Sequence, residues 1–198
     1  MEIKKEFYSK VAETVVKNLK SRNLDACYCE NKEDAVKKML EIMEEGKSVT
    51  WGGSVTMAEL GIVSELEKRN FVLLDRAKAG SREEVEKIYR DAFNSDYYLM
   101  SSNAVTMQGE LINIDGNGNR VAAIAFGPKQ VIALVGKNKI VDSESELENR
   151  ALKIAAPKNA KRLSLSDEKD ICAIFVKTRI CRTKGRIKII LVDEDLGY

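Results

Sequence analysis

Short apolar runs recur along this chain, and most are separated by stretches of helical periodicity at intervals of about 20–30 residues. That alternation constrains the fold more than any other feature. Strands too short to form a core by themselves, each followed by a crossover helix, build an α/β sheet that is largely parallel with helices on both faces. The first helix is predicted over Glu6–Arg22, where Phe7, Val11, Val15 and Leu19 recur every fourth residue. A strand is predicted at Leu24–Cys29, followed by a helix over Lys32–Glu45 with Asn31 as N-cap and Gly46 as its C′ residue. Ser48–Trp51 and Phe71–Leu74 are further strands, and the segment from Val55 to Arg69 between them is helical. Ser81 opens a capping box with Glu84 and starts a helix running to about Phe93. Tyr97–Met100 is the next strand. A second capping box, Ser143 to Glu146, begins a helix ending near Ala156, before Pro157; Ile171–Val176 and Ile187–Val192 are the last strands.

The middle of the chain departs from this rhythm. Leu111–Ile114, Val121–Phe126 and Gln130–Val135 follow one another as β-rich runs with no helix predicted between them. Local antiparallel pairing is the consequence, hence a mixed sheet. Asp115-Gly116 between two apolar runs reads either as a hairpin turn or as part of a binding loop. The whole stretch 101–120 is dense in Ser, Thr, Asn, Gln, Glu, Asp and Arg. Buried polar groups at that density need partners, and polar loops on a rigid frame are where ligands bind.

In open α/β sheets ligands sit beyond the carboxyl ends of the strands. Two polar clusters fall at such ends, Gly52-Gly53-Ser54 after one strand and Ser101-Ser102-Asn103 after another. The segment Trp51–Thr56 is a strand, a glycine turn and a helix start, where converging N–H groups and the Ser54 and Thr56 hydroxyls suit an anion; a plain capped turn is the alternative. Lys137 and Lys139 follow a third strand. Arg120, after Asn119, offers a guanidinium fork for a carboxylate or phosphate. Glu110, between Gly109 and Leu111, is the candidate general base, or else an exposed hairpin residue.

The chain has 198 residues, enough for one domain with a substantial core, and a formal net charge of +2, so no global field points to nucleic acid or an anionic membrane. Residues 1–6 are charged and lead into no apolar h-region, and no run approaches the ~20 apolar residues of a membrane span. A cytoplasmic protein is expected. There is no histidine, which removes Ser-His and Cys-His nucleophile pairs, histidine-ligated metals and imidazole bases. The four cysteines, Cys27, Cys29, Cys172 and Cys181, lack CxxC spacing; reduced thiols are expected and no metal site is assigned.

Taken together, Trp51–Ile62, Ser101–Thr106, Gly109–Ala123 and Phe126–Val141 resemble the LUD (lactate-utilisation) domain family, with further likeness at Ala156–Leu163 and in the terminal Asp195-Leu-Gly-Tyr198. The resemblance covers nearly the whole chain, so residues 1–198 are read as one LUD domain, with 1–46 a helical portion packed on it. It implies a fold similar to those of ribose-5-phosphate isomerase, glucosamine-6-phosphate deaminase and CoA transferases. By the same resemblance Gly52, Gly53, Ser54 and Thr56 form an anion-binding turn. Ser102, Asn103, Asn113, Asp115, Asn119, Arg120 and Lys139 line the rest of the pocket.

Three functional readings follow. The leading one is binding of a small anionic metabolite, phosphorylated or carboxylated, in organic-acid use. The second is a sugar-phosphate isomerase or CoA-transferase-like enzyme with Glu110 or Asp115 as base or nucleophile. The third is a non-catalytic subunit docking to an iron–sulfur oxidoreductase. No cofactor follows from the sequence, and base rates make a homodimer the expectation.

Overall fold

A computed structural model of the chain describes residues 2–165 and 171–198, for 2–5 the backbone alone. The described residues form, in order, α1 (Glu2–Ser21), β1 (Asp25–Cys29), α2 (Lys32–Ile42), β2 (Ser48–Trp51), α3 (Val55–Glu59), α4 (Ile62–Glu67), β3 (Val72–Leu73), α5 (Arg82–Asp91), β4 (Tyr97–Met100) and β5 (Ala104–Thr106). There follow β6 (Leu111–Asp115), α6 (Asn119–Ala125), β7 (Gln130–Gly136), β8 (Ile140–Val141), α7 (Glu144–Arg150), α8 (Ala156–Arg162), β9 (Ile174–Thr178) and β10 (Ile187–Val192).

Six strands make a wholly parallel sheet in the order β1-β10-β7-β4-β2-β3. Side chains of a strand alternate between faces, and each central strand therefore feeds two cores. Tyr98 and Met100, Val131 and Ala133, and Ile189 and Leu191 pack with Val15 and Leu19 of α1 and with Ile124 of α6. Tyr97 and Leu99, Ile132 and Leu134, and Ile190 and Val192 pack on the opposite face with Met39 of α2, Met57 of α3 and Leu66 of α4. This double burial explains why the central strands read as unbroken apolar runs. The protein is an α/β fold with helices on both faces of a largely parallel sheet.

The antiparallel pairing lies in a second, four-stranded sheet of order β8-β5-β6-β9, where β6 runs antiparallel to β5 and β9. One face of it packs Ala104, Ile112 and Ile114 against Leu147 and Ala151. The chain passes from the large sheet to the small one at Ser101–Asn103, between β4 and β5, and again at Lys137–Lys139, between β7 and β8.

Three expectations are corrected. Val121–Phe126 is not a strand: residues 119–125 form α6, and the Asp115 carboxylate caps it by accepting from Arg120 N (2.8 Å) and Val121 N (3.0 Å). Asp115-Gly116 is therefore a strand-to-helix turn, and the hairpin lies one strand earlier at Met107–Gly109, where Gly109 has φ +81° and its Cα faces the α1 backbone too closely for a Cβ. The helix expected over 55–69 breaks at Gly61 (φ +61°) into α3 and α4. Two smaller shifts concern helix ends. α2 stops at Ile42 rather than Glu45, leaving Gly46 in the following turn, and the helix from Ser143 runs past Pro157 through a π-helical turn (Ala151–Ala155) into α8. Pro157 follows directly on that π-helical turn, where the regular i→i−4 ladder is already interrupted. Among the described residues no helix is long and apolar enough to cross a membrane.

Candidate functional site

Because the large sheet is parallel, β2, β4, β7 and β10 all end on one edge, and a cleft of about 440 Å³ opens there. Its walls come from the turn after β2 (Gly53–Thr56), the segment after β4 (Ser101–Asn103), the loop and helix after β6 (Asp115–Arg120) and Lys139 after β7. The π-helical turn and α8 close the far side through Ala151, Ala155, Ala156, Asn159 and Arg162. Small side chains there leave room for an occupant, and π-helical turns of this kind are often found at functional sites.

Lys139 is the central group. It is 3% exposed, and its Nζ donates to Thr56 Oγ1 (2.8 Å) and Ser101 Oγ (2.9 Å). No carboxylate pairs with it among the described residues. Burial lowers its pKa from 10.5 to about 7, and the nearby guanidinium groups of Arg150 and Arg120 push the same way, with Glu59 opposing them. The strand end after β10 presses on this group from behind. Gly197 (φ +59°) lies so close to Thr56 that a Cβ would come within 2.5 Å of Thr56 Oγ1, and Tyr198 lines the cleft.

Arg120 organises the adjoining wall. Its Nη1 donates to Asn113 Oδ1 (2.7 Å) and Ser101 O (3.2 Å), and its Nη2 to Asn103 Oδ1 (2.9 Å) and Ile114 O. Nε lies 3.4 Å from Asp115 Oδ1. The guanidinium expected to clamp a ligand is thus spent on the protein, holding the β4–β5 passage against β6. Gly52 makes room for its stem, since a Cβ there would lie 3.2 Å from Arg120 Cδ.

The cations with capacity left are ones that sequence reasoning missed. Arg76 lines the cleft and stacks 5.7 Å over the Tyr89 ring, and its guanidinium has no hydrogen bond or ion pair within the described residues. Among the described residues, the Arg162 guanidinium bonds to Asn159 Oδ1 alone, one helical turn away. Arg150 stands behind Lys139, donating to Asn138 O (2.9 Å), Asn103 O and Tyr198 O (3.3 Å). Among the described residues, the side chains lining the cleft include four cations (Arg76, Arg120, Lys139, Arg162) and one carboxylate (Asp115). That imbalance favours an anion.

Of the residues singled out from the sequence, the structure brings Gly53, Ser54, Thr56, Ser102, Asn103, Asp115, Asn119, Arg120 and Lys139 to the cleft. Ser102 acts inward, donating to Ala104 O and Ile112 O, and Ser54 accepts from Met57 N (3.4 Å) as the N-cap of a helix only five residues long. Gly52 and Asn113 stand behind the wall, supporting Arg120. Glu110 is elsewhere. It is 4% exposed, not an exposed hairpin residue, and is held among Arg179 (3.2 Å), Arg22 (3.5 Å) and Lys177 (3.8 Å) at the hairpin end beside α1. A base in that position does not face the cleft.

A family model described as the LUD domain matches residues 12–192. No curated protein matches the sequence. Among solved structures, the fold is similar to the crystal structure of a DUF162 family protein from Deinococcus radiodurans. The two share 12% sequence identity at a TM-score of 0.58, over 93% of this chain and 97% of that one. At such low identity the likeness concerns the fold alone.

Proposed function

The chain belongs to the LUD domain family, and on that premise we propose that its cleft binds a small anionic metabolite carrying a phosphate or carboxylate. The observation that carries this reading is the pairing of a buried, carboxylate-free Lys139 with an unspent Arg76 in a cleft lined by four cations and one carboxylate. Each has chemistry left over for a ligand oxygen: Arg76 offers its guanidinium fork, and Lys139 a proton that two neutral hydroxyls do not neutralise. The amides of Asn103 and Asn119 add neutral donors in the same wall. A family name that refers to lactate use fits a carboxylate ligand, and the volume admits a molecule considerably larger than lactate.

Thermal unfolding in the presence of inorganic phosphate, sugar phosphates, CoA esters, lactate and pyruvate tests the proposal. A ligand at about 100 times its Kd stabilises by roughly 2.7 kcal/mol. Stabilisation that disappears in Arg76→Ala is expected. Millimolar anions that leave the transition unmoved in the wild-type protein would refute an anion site.

A further inference from the structure

Lys139 is more than a binding cation. A lysine placed only to attract an anion is best left solvated or paired, because a buried ammonium without a carboxylate is costly. Here the amine is instead sunk at the floor of the cleft, fixed in position by the Thr56 and Ser101 hydroxyls, with Arg150 and Arg120 beside it and Glu59 as the opposing charge. Both hydroxyl oxygens accept from Nζ, and a neutral amine, with two N–H donors and one lone pair, keeps both contacts while leaving the lone pair for a carbonyl carbon. Surrounded in this way, a lysine is poised as a nucleophile rather than as a point charge.

We infer that Lys139 forms an imine with a carbonyl group of the bound anion, so that the substrate class is 2-oxo acids and aldehyde- or ketone-bearing phosphates. This rests on reading the cleft as an anion site. The Nζ lone pair adds to the carbonyl carbon, forming the C–N bond while the C=O π pair moves to oxygen, which takes up a proton. Nζ, positively charged after the addition, gives up one proton to reach the carbinolamine, whose hydroxyl takes up one proton and leaves as water while the nitrogen lone pair closes the C=N bond of a protonated imine. The Thr56 and Ser101 hydroxyls, each within 3 Å of Nζ, are placed to relay these protons. No oxidant or reductant is needed. The protonated imine draws electrons from the neighbouring carbon, which is what isomerisation or carbon–carbon chemistry at that carbon requires. Arg76 and Arg162 would hold the anionic end of the same molecule.

The depressed pKa agrees with this role. With its pKa lowered to about 7, Lys139 keeps a far larger neutral fraction near pH 7 than an ordinary lysine does.

The test is reductive alkylation of the full chain at pH 7 with glyoxylate, the smallest carboxylate-bearing aldehyde, and cyanoborohydride, which reduces only the imine. Peptide mass spectrometry then compares the rate at Lys139 with rates at exposed lysines such as Lys17 and Lys37. At least tenfold faster modification of Lys139, slowed by inorganic phosphate, is expected. Modification of Lys139 no faster than the exposed lysines overturns the inference. Since the wild-type protein is labelled, the outcome does not depend on a variant folding. The two readings fail separately. Phosphate stabilisation with an unreactive Lys139 leaves the anion site and removes the imine. A reactive Lys139 that phosphate neither protects nor stabilises leaves a nucleophilic lysine and removes the anion site.

Discussion

Replacing Lys139 by methionine keeps the length and shape of the side chain and removes its charge. The folded protein holds this amine at about 7, whereas the unfolded chain holds it near 10.5. Between those values the unfolded chain binds a proton that the folded chain lacks, so stability rises with pH across that window and is lowest below about 7. At pH 7 the linkage penalty is about 4 kcal/mol, and from pH 7 to 9 it falls by about 2 kcal/mol. Methionine carries no such penalty, but it leaves Thr56 and Ser101 without their bonds to Nζ, a loss of about 1 kcal/mol each. Lys139→Met is therefore expected to be more stable than wild type by roughly 2 kcal/mol at pH 7, with the advantage gone near pH 9. It should also lose anion affinity. Urea unfolding at pH 7, 8 and 9, followed by the fluorescence of the single tryptophan, Trp51, measures the difference directly; groups other than Lys139 cancel between the two proteins. Two stability curves running parallel from pH 7 to 9 would refute the argument, because they would mean that Lys139 keeps its proton in the fold.

Gly53→Ala places a Cβ about 2.7 Å from Arg76 Nη2, the far end of a flexible chain. Stability should change by no more than about 0.5 kcal/mol, while titration calorimetry should find phosphate binding several-fold weaker. Arg120→Lys replaces a fork by a point charge and cannot serve Asn103 and Asn113 together; a loss of about 2–3 kcal/mol in denaturant stability is expected. Glu110→Gln removes the carboxylate from among Arg22, Lys177 and Arg179, and should lower the urea midpoint by an amount corresponding to about 1–2 kcal/mol, discounted for the exposure of Arg179. Phosphate affinity should be unchanged in it; weaker binding would place Glu110 in communication with the cleft.

The parallel sheet was legible because strands buried on both faces must be apolar throughout, and because Asn31 and Ser81 announce helix starts by side chains that do cap them, accepting from Asp34 N and Glu84 N. Val121–Phe126 misled for a physical reason. A run of six apolar residues fits either period, and here three alanines and a remote cap decide for helix. That cap is the Asp115 side chain, four residues before the helix begins, which no local pattern reveals. The polar segments after β2, β4 and β7 were recognisable as site material from their position at strand ends. Arg76, Arg150 and Arg162 were not, because they lie on helical segments whose packing against the cleft depends on the assembled sheets. Glu110 shows the converse: a polar residue in a promising stretch can be committed to ion pairs away from the cleft.

Two of the four passages of chain between the sheets, at Ser101–Asn103 and Lys137–Lys139, are also two walls of the cleft. Mechanically they tie the two sheets together on either side of the cleft. An occupant gripping Ser101 and Lys139 at once would resist shear between the sheets. Strand β6, whose Ile114 and Asp115 line the cleft, would then stiffen together with its ladder partner β5 when the cleft fills. Occupancy would be felt along the β9 rim of the small sheet, which pairs with β6.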